Sequence, residues 1–214
     1  MAKWTVELVE DLNLPGWIPV PEGLTPPERE EWIASTSESL GYLIGTPRWD
    51  GETSTSADIR ALLQMSLDER ERSDAYALFQ VWPVMSAAAV TCHLYVVETE
   101  SLPDIAKWGG VIHAANADHI GPGVQLSARN ELLFDGGVVL LESVNYLFTD
   151  GEVSLLLGVD DCIPQLATSV VRGLSIFKDL LRIVREDGKV FESVLLPGAP
   201  IDETWPIEEI GAAR

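Results

Sequence analysis

Residues 124–159 read VQLSARNELLFDGGVVLLESVNYLFTDGEVSLLLGV, and they form the part of the sequence with the clearest structural pattern. It contains three apolar segments that predict β-strands, over residues 124–134, 138–149 and 152–159. Asp135-Gly136 and Asp150-Gly151 separate the segments. Asp-Gly pairs favour tight turns because glycine adopts positive φ at low steric cost. The stretch therefore predicts a three-stranded antiparallel meander.

A long amphipathic helix is predicted directly after the meander. Apolar residues recur there at the three-and-four spacing of one helix face, from Ile163 through Val170 and Phe177 to Val184. Asp160 or Asp161 is the expected N-cap, and the helix is expected to end near Gly188. A short strand over residues 190–195 and an acidic tail over residues 196–214 complete the predicted order.

Upstream of the meander the sequence predicts helices and a strand pair. Thr25 and Glu28 have capping-box spacing around two prolines, which starts a helix expected to run to about Ile44. A shorter helix is expected over residues 57–64. Period-two alternation then predicts strands at residues 76–82 and 90–97, paired through a connection at residues 86–88. A short helix is also expected over residues 101–108, and residues 111–123 fit either a helix or a loop.

Residues 1–24 are predicted to form an extended arm laid across the body. Trp4, Val6 and Leu8 alternate as in a short strand, and the prolines that follow exclude a helix. The apolar side chains between those prolines are too numerous to remain in water, and they are Leu14, Trp17, Ile18 and Val20.

Antiparallel strands with helices inserted between them predict an α+β fold, an antiparallel β-sheet with helices packed on it as an α/β/α sandwich. The 214 residues, 46% of them apolar and 22% charged, have the composition of a single globular domain over residues 1–214. A chain of this length buries enough surface to fold without a structural metal or disulfides. We therefore expect no structural zinc, and we expect no cofactor.

The formal net charge is −20, and acidic residues outnumber basic ones in both halves of the chain. This balance argues against nucleic-acid and anionic-membrane partners, because both need clusters of Lys and Arg. The start of the sequence has no secretory pattern, and no apolar run of about 18 residues occurs. We expect a cytoplasmic protein, with Cys92 and Cys162 as buried thiols.

The order of the last two strands of the meander, a short acidic loop and an amphipathic helix ending in Arg182-Ile183-Val184-Arg185 resembles the second half of PsbP-like domains. The opening Leu14 to Pro21 and the Trp82-Pro83 pair also resemble uncharacterised actinobacterial proteins that carry such domains. The resemblance covers roughly residues 76–195. It implies a sandwich that acts mainly through protein contacts, and it transfers no functional residue.

Several side chains could carry chemistry. His113, Asp118 and His119 are suitable zinc or iron ligands, although on a helix the two histidines lie 120° apart. Cys92-His93 would suit a thiol nucleophile, but adjacent strand residues point to opposite faces. For Cys162 at the predicted helix start, neighbouring aspartates oppose thiolate formation. A carboxylate pair of Glu131 and Glu142 on neighbouring strands is a further general acid-base candidate.

Seven tryptophans are the unusual compositional feature, and four of them lie within the first 49 residues. Trp17, Trp32 and Trp49 are candidates for an interaction surface as well as for core packing. We therefore expect a non-catalytic domain that contacts an unidentified protein partner. One alternative is a metal-dependent or thiol hydrolase using Cys92 and His93, or His113, Asp118 and His119. A small-ligand carrier with an aromatic pocket beneath the arm is the other.

Overall fold

The computed structural model describes residues 4–10, 14–48, 52–82, 88–108, 110–134, 136–196 and 198–202. Within these ranges the predicted α+β class is confirmed. The strands are β1 (Trp4–Leu8), β2 (Trp17–Pro19), β3 (Ala77–Val81), β4 (Val90–Glu98), β5 (Val111–Ala117), β6 (Gly121–Phe134), β7 (Gly137–Thr149), β8 (Val153–Cys162) and β9 (Leu181–Arg185). The α-helices are α1 (Pro26–Ser39), α2 (Ser56–Arg72) and α3 (Pro164–Leu180).

Seven strands form one antiparallel sheet in the order β2-β3-β4-β8-β7-β6-β5. The predicted meander is confirmed as β6-β7-β8, and the predicted strand pair is confirmed as β3-β4. The segment that fitted either a helix or a loop is β5, which pairs with β6 along its whole length. β1 and β9 form a separate two-stranded sheet.

Helices cover both faces of the large sheet, as the sandwich prediction requires. Alternation along β3 divides its side chains between two cores, because neighbouring strand residues point to opposite faces. Phe79 packs in a cluster with Phe177 of α3, whereas Leu78 packs in a cluster with Leu63 of α2. A third cluster closes the β5-β6-β7 end and contains Ile112, Val124, Leu126 and Leu147.

The predicted start of α1 is confirmed and its end is not. The Thr25 backbone N–H donates to Glu28 Oε2 at 2.7 Å, which is one half of the capping box. The helix ends at Ser39, and a separate 3-10 turn follows over Gly41–Leu43. The second helix begins one residue before the predicted start, where Thr55 and Asp58 form a capping box, but it continues to Arg72 instead of ending at Gln64.

The predicted last helix is wrong at both ends. Asp160 and Asp161 do not cap it, because β8 continues to Cys162 and Ile163 occupies the N-cap position. The helix ends at Leu180, and the chain passes directly into β9, which pairs with β1.

Two further predicted elements are also corrected. The expected helix over residues 101–108 is reduced to 3-10 turns at Thr99–Ser101 and Ile105–Lys107. The expected strand over residues 190–195 consists of isolated bridges at Val190 and Val194. Residues 86–87 of the predicted connection, Asp135 and residues 203–214 of the predicted tail lie outside the described residues.

The N-terminal arm lies on the body, as its apolar side chains predict. Trp17 pairs with Val81 in the β2-β3 ladder. Its indole packs against the rings of Phe79 and Phe177, with centroids at 6.0 and 5.5 Å. Gly173 of α3 permits this contact, because a Cβ there would lie 2.8 Å from Trp17 Nε1.

Gly123 of β6 gives a test of sheet packing, because Phe148 lies against its backbone. An alanine Cβ at this position would lie 2.4 Å from Phe148 Cδ1 and 2.5 Å from the Leu147 carbonyl oxygen. We expect Gly123→Ala to lower the free energy of unfolding by about 1–3 kcal/mol, since overpacking a closed core shifts side chains and backbone. Urea unfolding measures the loss. Gly41→Ala is the matched control, because a Cβ there meets no atom within 4 Å, and equal losses in both variants would contradict the packing argument.

Candidate functional site

The β6-β7 hairpin extends beyond the rest of the sheet. The β5 ladder reaches only Ser127 of β6, and the β8 ladder reaches only Glu142 of β7. β6 and β7 nevertheless remain paired to the turn, where Phe134 lies opposite Gly137. Residues 128–141 therefore form a two-stranded ribbon about 20 Å long at 3.3 Å per residue. Within the described sheet, no third strand joins either side of the ribbon.

Exposed apolar side chains concentrate at the end of this ribbon. Leu133 is 82% exposed and Phe134 is 62% exposed. We call five residues the apolar tip, and they are Leu132, Leu133, Phe134, Val138 and Leu140. Strand alternation places Leu133, Val138 and Leu140 on one face of the ribbon and Leu132 and Phe134 on the other. Single exposed apolar residues are normal on a monomer, whereas grouped ones make this end of the ribbon a candidate contact surface.

The root of the ribbon is polar and tied to the sheet. Arg129 Nε donates to Glu142 Oε1 across the two strands at 2.8 Å. Asn130 Nδ2 donates to Asp161 Oδ2 of β8 at 2.9 Å. Glu131 lies opposite Leu140 and Glu142 lies opposite Arg129, so the two carboxylates of the proposed pair are diagonal neighbours on one face of the ribbon. The charged residues thus hold the root of the ribbon and leave its tip apolar.

A second cluster combines α2, β4 and β8 on the opposite side of β4 from Cys92. His93 Nε2 lies 2.9 Å from Asp160 Oδ2 and 3.2 Å from Glu69 Oε1. The His93 residue is only 7% exposed. Its partners reach it because His93 lies opposite Gly158, two residues before Asp160 on the same face of β8.

Two effects compete on the His93 ring. Burial lowers its pKa, because burial disfavours the charged form. The hydrogen bonds and negative charges of Asp160 and Glu69 outweigh burial and raise the pKa of His93 to about 9. The hydrogen bond to His93 in turn lowers the pKa of Glu69. Near pH 7, His93 is therefore an imidazolium held between two carboxylates.

Sequence reasoning missed Glu69 and Asp160 as partners of His93. Residues 69, 93 and 160 are far apart in the chain and match no local motif. The one available signal was a histidine inside an otherwise apolar strand, since a polar side chain there needs a partner supplied by another element. The sequence does not indicate which element supplies it.

The two cysteines are free thiols, and the prediction that both are buried is confirmed for Cys92 but wrong for Cys162, which is half-buried. Cys92 is fully buried in the α3-side core, and burial raises its pKa. Burial and, to a smaller extent, the nearby Asp161 carboxylate raise the pKa of Cys162 to about 11. Both thiols are therefore protonated near pH 7. Cys92 and His93 point to opposite faces of β4, so the structure does not bring them together as a nucleophile and base.

The other candidate ligands are separate from this cluster. His113 lies on β5, and Asp118 and His119 lie in the turn that follows. Glu69, His93 and Asp160 have their ligand atoms within 4.8 Å of one another. Among the described residues, no other set of three or more histidine, cysteine and carboxylate side chains lies this close together. The structure does not assemble His113, Asp118 and His119 into a metal site.

The tryptophan candidates occupy different environments. Trp17 packs on the α3-side core, and Trp32 is half-buried against the cluster beneath α1 and α2. Trp49 lies outside the described residues. A depression of about 370 Å³ opens beside Trp17, between the arm and α3. Neither Trp17 nor Trp32 forms part of the apolar tip.

The comparisons with known proteins returned no relative. No family model, curated protein or solved structure matches this chain. The PsbP-like resemblance therefore stays a prediction. Within the described ranges, no helix is both long and apolar enough to span a membrane.

Proposed function

We propose that this chain is a non-catalytic domain that binds a partner protein through the apolar tip of the β6-β7 ribbon. The exposed side chains of that tip carry the proposal. The ribbon leaves the sheet and exposes Leu133 and Phe134 to water, which is unfavourable for apolar side chains. Docking into a partner would bury them. The protein-contact role of the PsbP-like domains that this chain resembles supports the same function.

The charge of the chain indicates the kind of partner. A second copy would bring another net charge of −20 to the contact, and like charges oppose association. A neutral or basic protein with an apolar groove fits better. The two open edges of the ribbon also offer backbone N–H and C=O groups to an added strand of that partner.

The same charge supports the exclusion of nucleic acid and anionic membranes as partners, because an acidic chain repels both. We place the protein in the cytoplasm. The support is that Cys92 and Cys162, the two cysteines of the sequence, are both free thiols in the structure. Thiols persist in reducing compartments.

A photo-crosslinking amino acid at position 133 tests the proposal in cells that express the protein at its native level. We expect one discrete adduct with a different protein, and we expect Phe134→Ser to abolish it. The matched control places the crosslinker at Met65, which is 64% exposed on α2, away from the ribbon. Equal adducts from both positions, no adduct, or an adduct with a second copy of the chain would each contradict the proposal.

Polar substitution of the apolar tip should leave the fold intact. The double variant Leu133→Ser, Phe134→Ser removes side chains that are mostly in water, so we expect the free energy of unfolding to change by less than about 0.5 kcal/mol at each position. Binding of a hydrophobic dye should decrease, because the exposed apolar group is lost. Chemical unfolding and dye fluorescence measure the two effects. A large loss of stability would show that the tip is part of the protein's own core.

A further inference from the structure

We propose that Glu69, His93 and Asp160 bind a divalent first-row transition-metal ion. The site uses residues different from those of the apolar tip, so the two proposals stand or fall separately. The argument rests on the spacing of the three ligand atoms, on the groups that orient them and on their access to water.

The two spacings from His93 match those of adjacent ligands in a coordination shell. Adjacent ligands around an ion with bonds of about 2.1 Å lie about 3.0 Å apart in an octahedron and about 3.4 Å apart in a tetrahedron. His93 Nε2 lies 2.9 Å from Asp160 Oδ2 and 3.2 Å from Glu69 Oε1. All three ligand atoms lie within 4.8 Å of one another. An ion can therefore replace the shared proton with small side-chain shifts.

The ligands are oriented by a surrounding set of polar groups. Tyr95 stacks on the His93 ring, and its hydroxyl lies 3.4 Å from Nδ1, which directs Nε2 towards the carboxylates. Thr91 Oγ1 donates to Glu69 Oε2 at 2.9 Å and leaves Oε1 for the ion. His93 and Glu69 thus each have a polar partner on the atom that does not face the ion, as ligands in metal sites commonly do.

The donor set and its exposure select the class of ion. Imidazole favours Zn²⁺, Fe²⁺ and related ions over Mg²⁺ and Ca²⁺, and two carboxylates also admit Mn²⁺. The side chains of Asp160 and Glu69 are 58% and 32% exposed, respectively. Water can therefore reach the ion and complete its coordination beside the three protein ligands.

Cobalt titration tests the site on the full chain after chelator treatment. Co²⁺ is the probe, because its visible absorption reports ligand type and geometry, and excess Mg²⁺ saturates weak sites on the acidic surface. We expect one equivalent of Co²⁺ to bind with a change in visible absorption. Zn²⁺ should displace it. We expect Glu69→Gln and Asp160→Asn each to weaken binding at least about tenfold, and His93→Gln to abolish the spectral change.

The double variant His113→Gln, His119→Gln is the matched control, because it removes the other two histidines of the chain and leaves the site intact. Far-UV circular dichroism of each variant shows whether it remains folded. If His93→Gln does not fold, Glu69→Gln still tests the site, because it keeps the shape of the side chain. Three results would overturn the proposal: no stoichiometric binding in excess Mg²⁺, binding that survives both carboxylate substitutions, or loss of binding in the control.

Discussion

Deletion of residues 1–24 is expected to leave a protein that aggregates or melts tens of degrees lower than the full chain. The deletion removes two strands and the buried side chains of Trp4 and Val20, together with the packing of Trp17 on Phe79 and Phe177. Burial of one large apolar side chain contributes about 1.5–3 kcal/mol, and whole domains are stable by about 5–15 kcal/mol. The deletion also exposes the edges of β3 and β9. Thermal melting followed by circular dichroism measures the loss.

A point variant separates this packing from the loss of strands. We expect Trp17→Ala to lower the free energy of unfolding by about 1.5–3 kcal/mol, because the indole lies between the sheet and α3. Tyr42→Ala is the control, since Tyr42 is an aromatic side chain that is 54% exposed. An unchanged melting temperature in both the deletion and Trp17→Ala would make the arm a binding segment instead of part of the core.

Metal-free protein is expected to lose stability between about pH 6.5 and pH 9. The pKa of His93 is raised from 6.5 to about 9 in the folded state, so its contribution is complete below the unfolded value and is lost as the pH rises through the folded value. The contribution is about 3 kcal/mol at most, and water around the half-exposed Asp160 reduces it. Glu69 acts in the opposite direction, because its lowered pKa gives stability that is lost as the pH falls below its usual value.

Urea unfolding of the wild type and His93→Gln at a series of pH values measures this contribution. Repulsion among the excess acidic groups is nearly the same in both proteins, so the difference between them isolates the imidazolium. That difference should shrink as the pH rises through 9. Parallel stability curves would show that the ring and its two carboxylates contribute no pH-dependent stability.

The parts of the fold that were predictable are those that local patterns determine. Asp150-Gly151 and the apolar runs around it specify the β7-β8 hairpin, and the Thr25 capping box specifies the start of α1. Leu181 to Arg185 continue the helical spacing of α3 and also alternate, with Leu181 and Ile183 buried. This short segment therefore fits both the helical spacing and the strand alternation. It forms a strand because it pairs with β1, which lies at the opposite end of the sequence.

The candidate sites were harder to predict from the sequence, because they depend on contacts between segments that are distant in the chain. The His93 cluster draws one residue from each of three elements, and Asp160 has the sequence context of a helix cap. The apolar tip lies within segments correctly predicted as strands. Its exposure follows from the lengths of the neighbouring strands, because β5 and β8 end before the ribbon does. Apolar runs around a turn look the same in sequence whether neighbouring strands cover them or not.

The β1-β9 pair determines when this chain can finish folding as it is synthesised. Trp4 pairs with Arg185, so the first strand leaves the ribosome about 180 residues before its partner. At roughly 5–20 residues per second, that interval lasts on the order of 10–35 seconds. During this time the Trp4 side chain has neither β9 nor Phe191 to cover it. The nascent chain therefore exposes the unpaired strand and its Trp4 side chain until β9 has been synthesised, which is a period when a ribosome-associated chaperone would have a segment to bind.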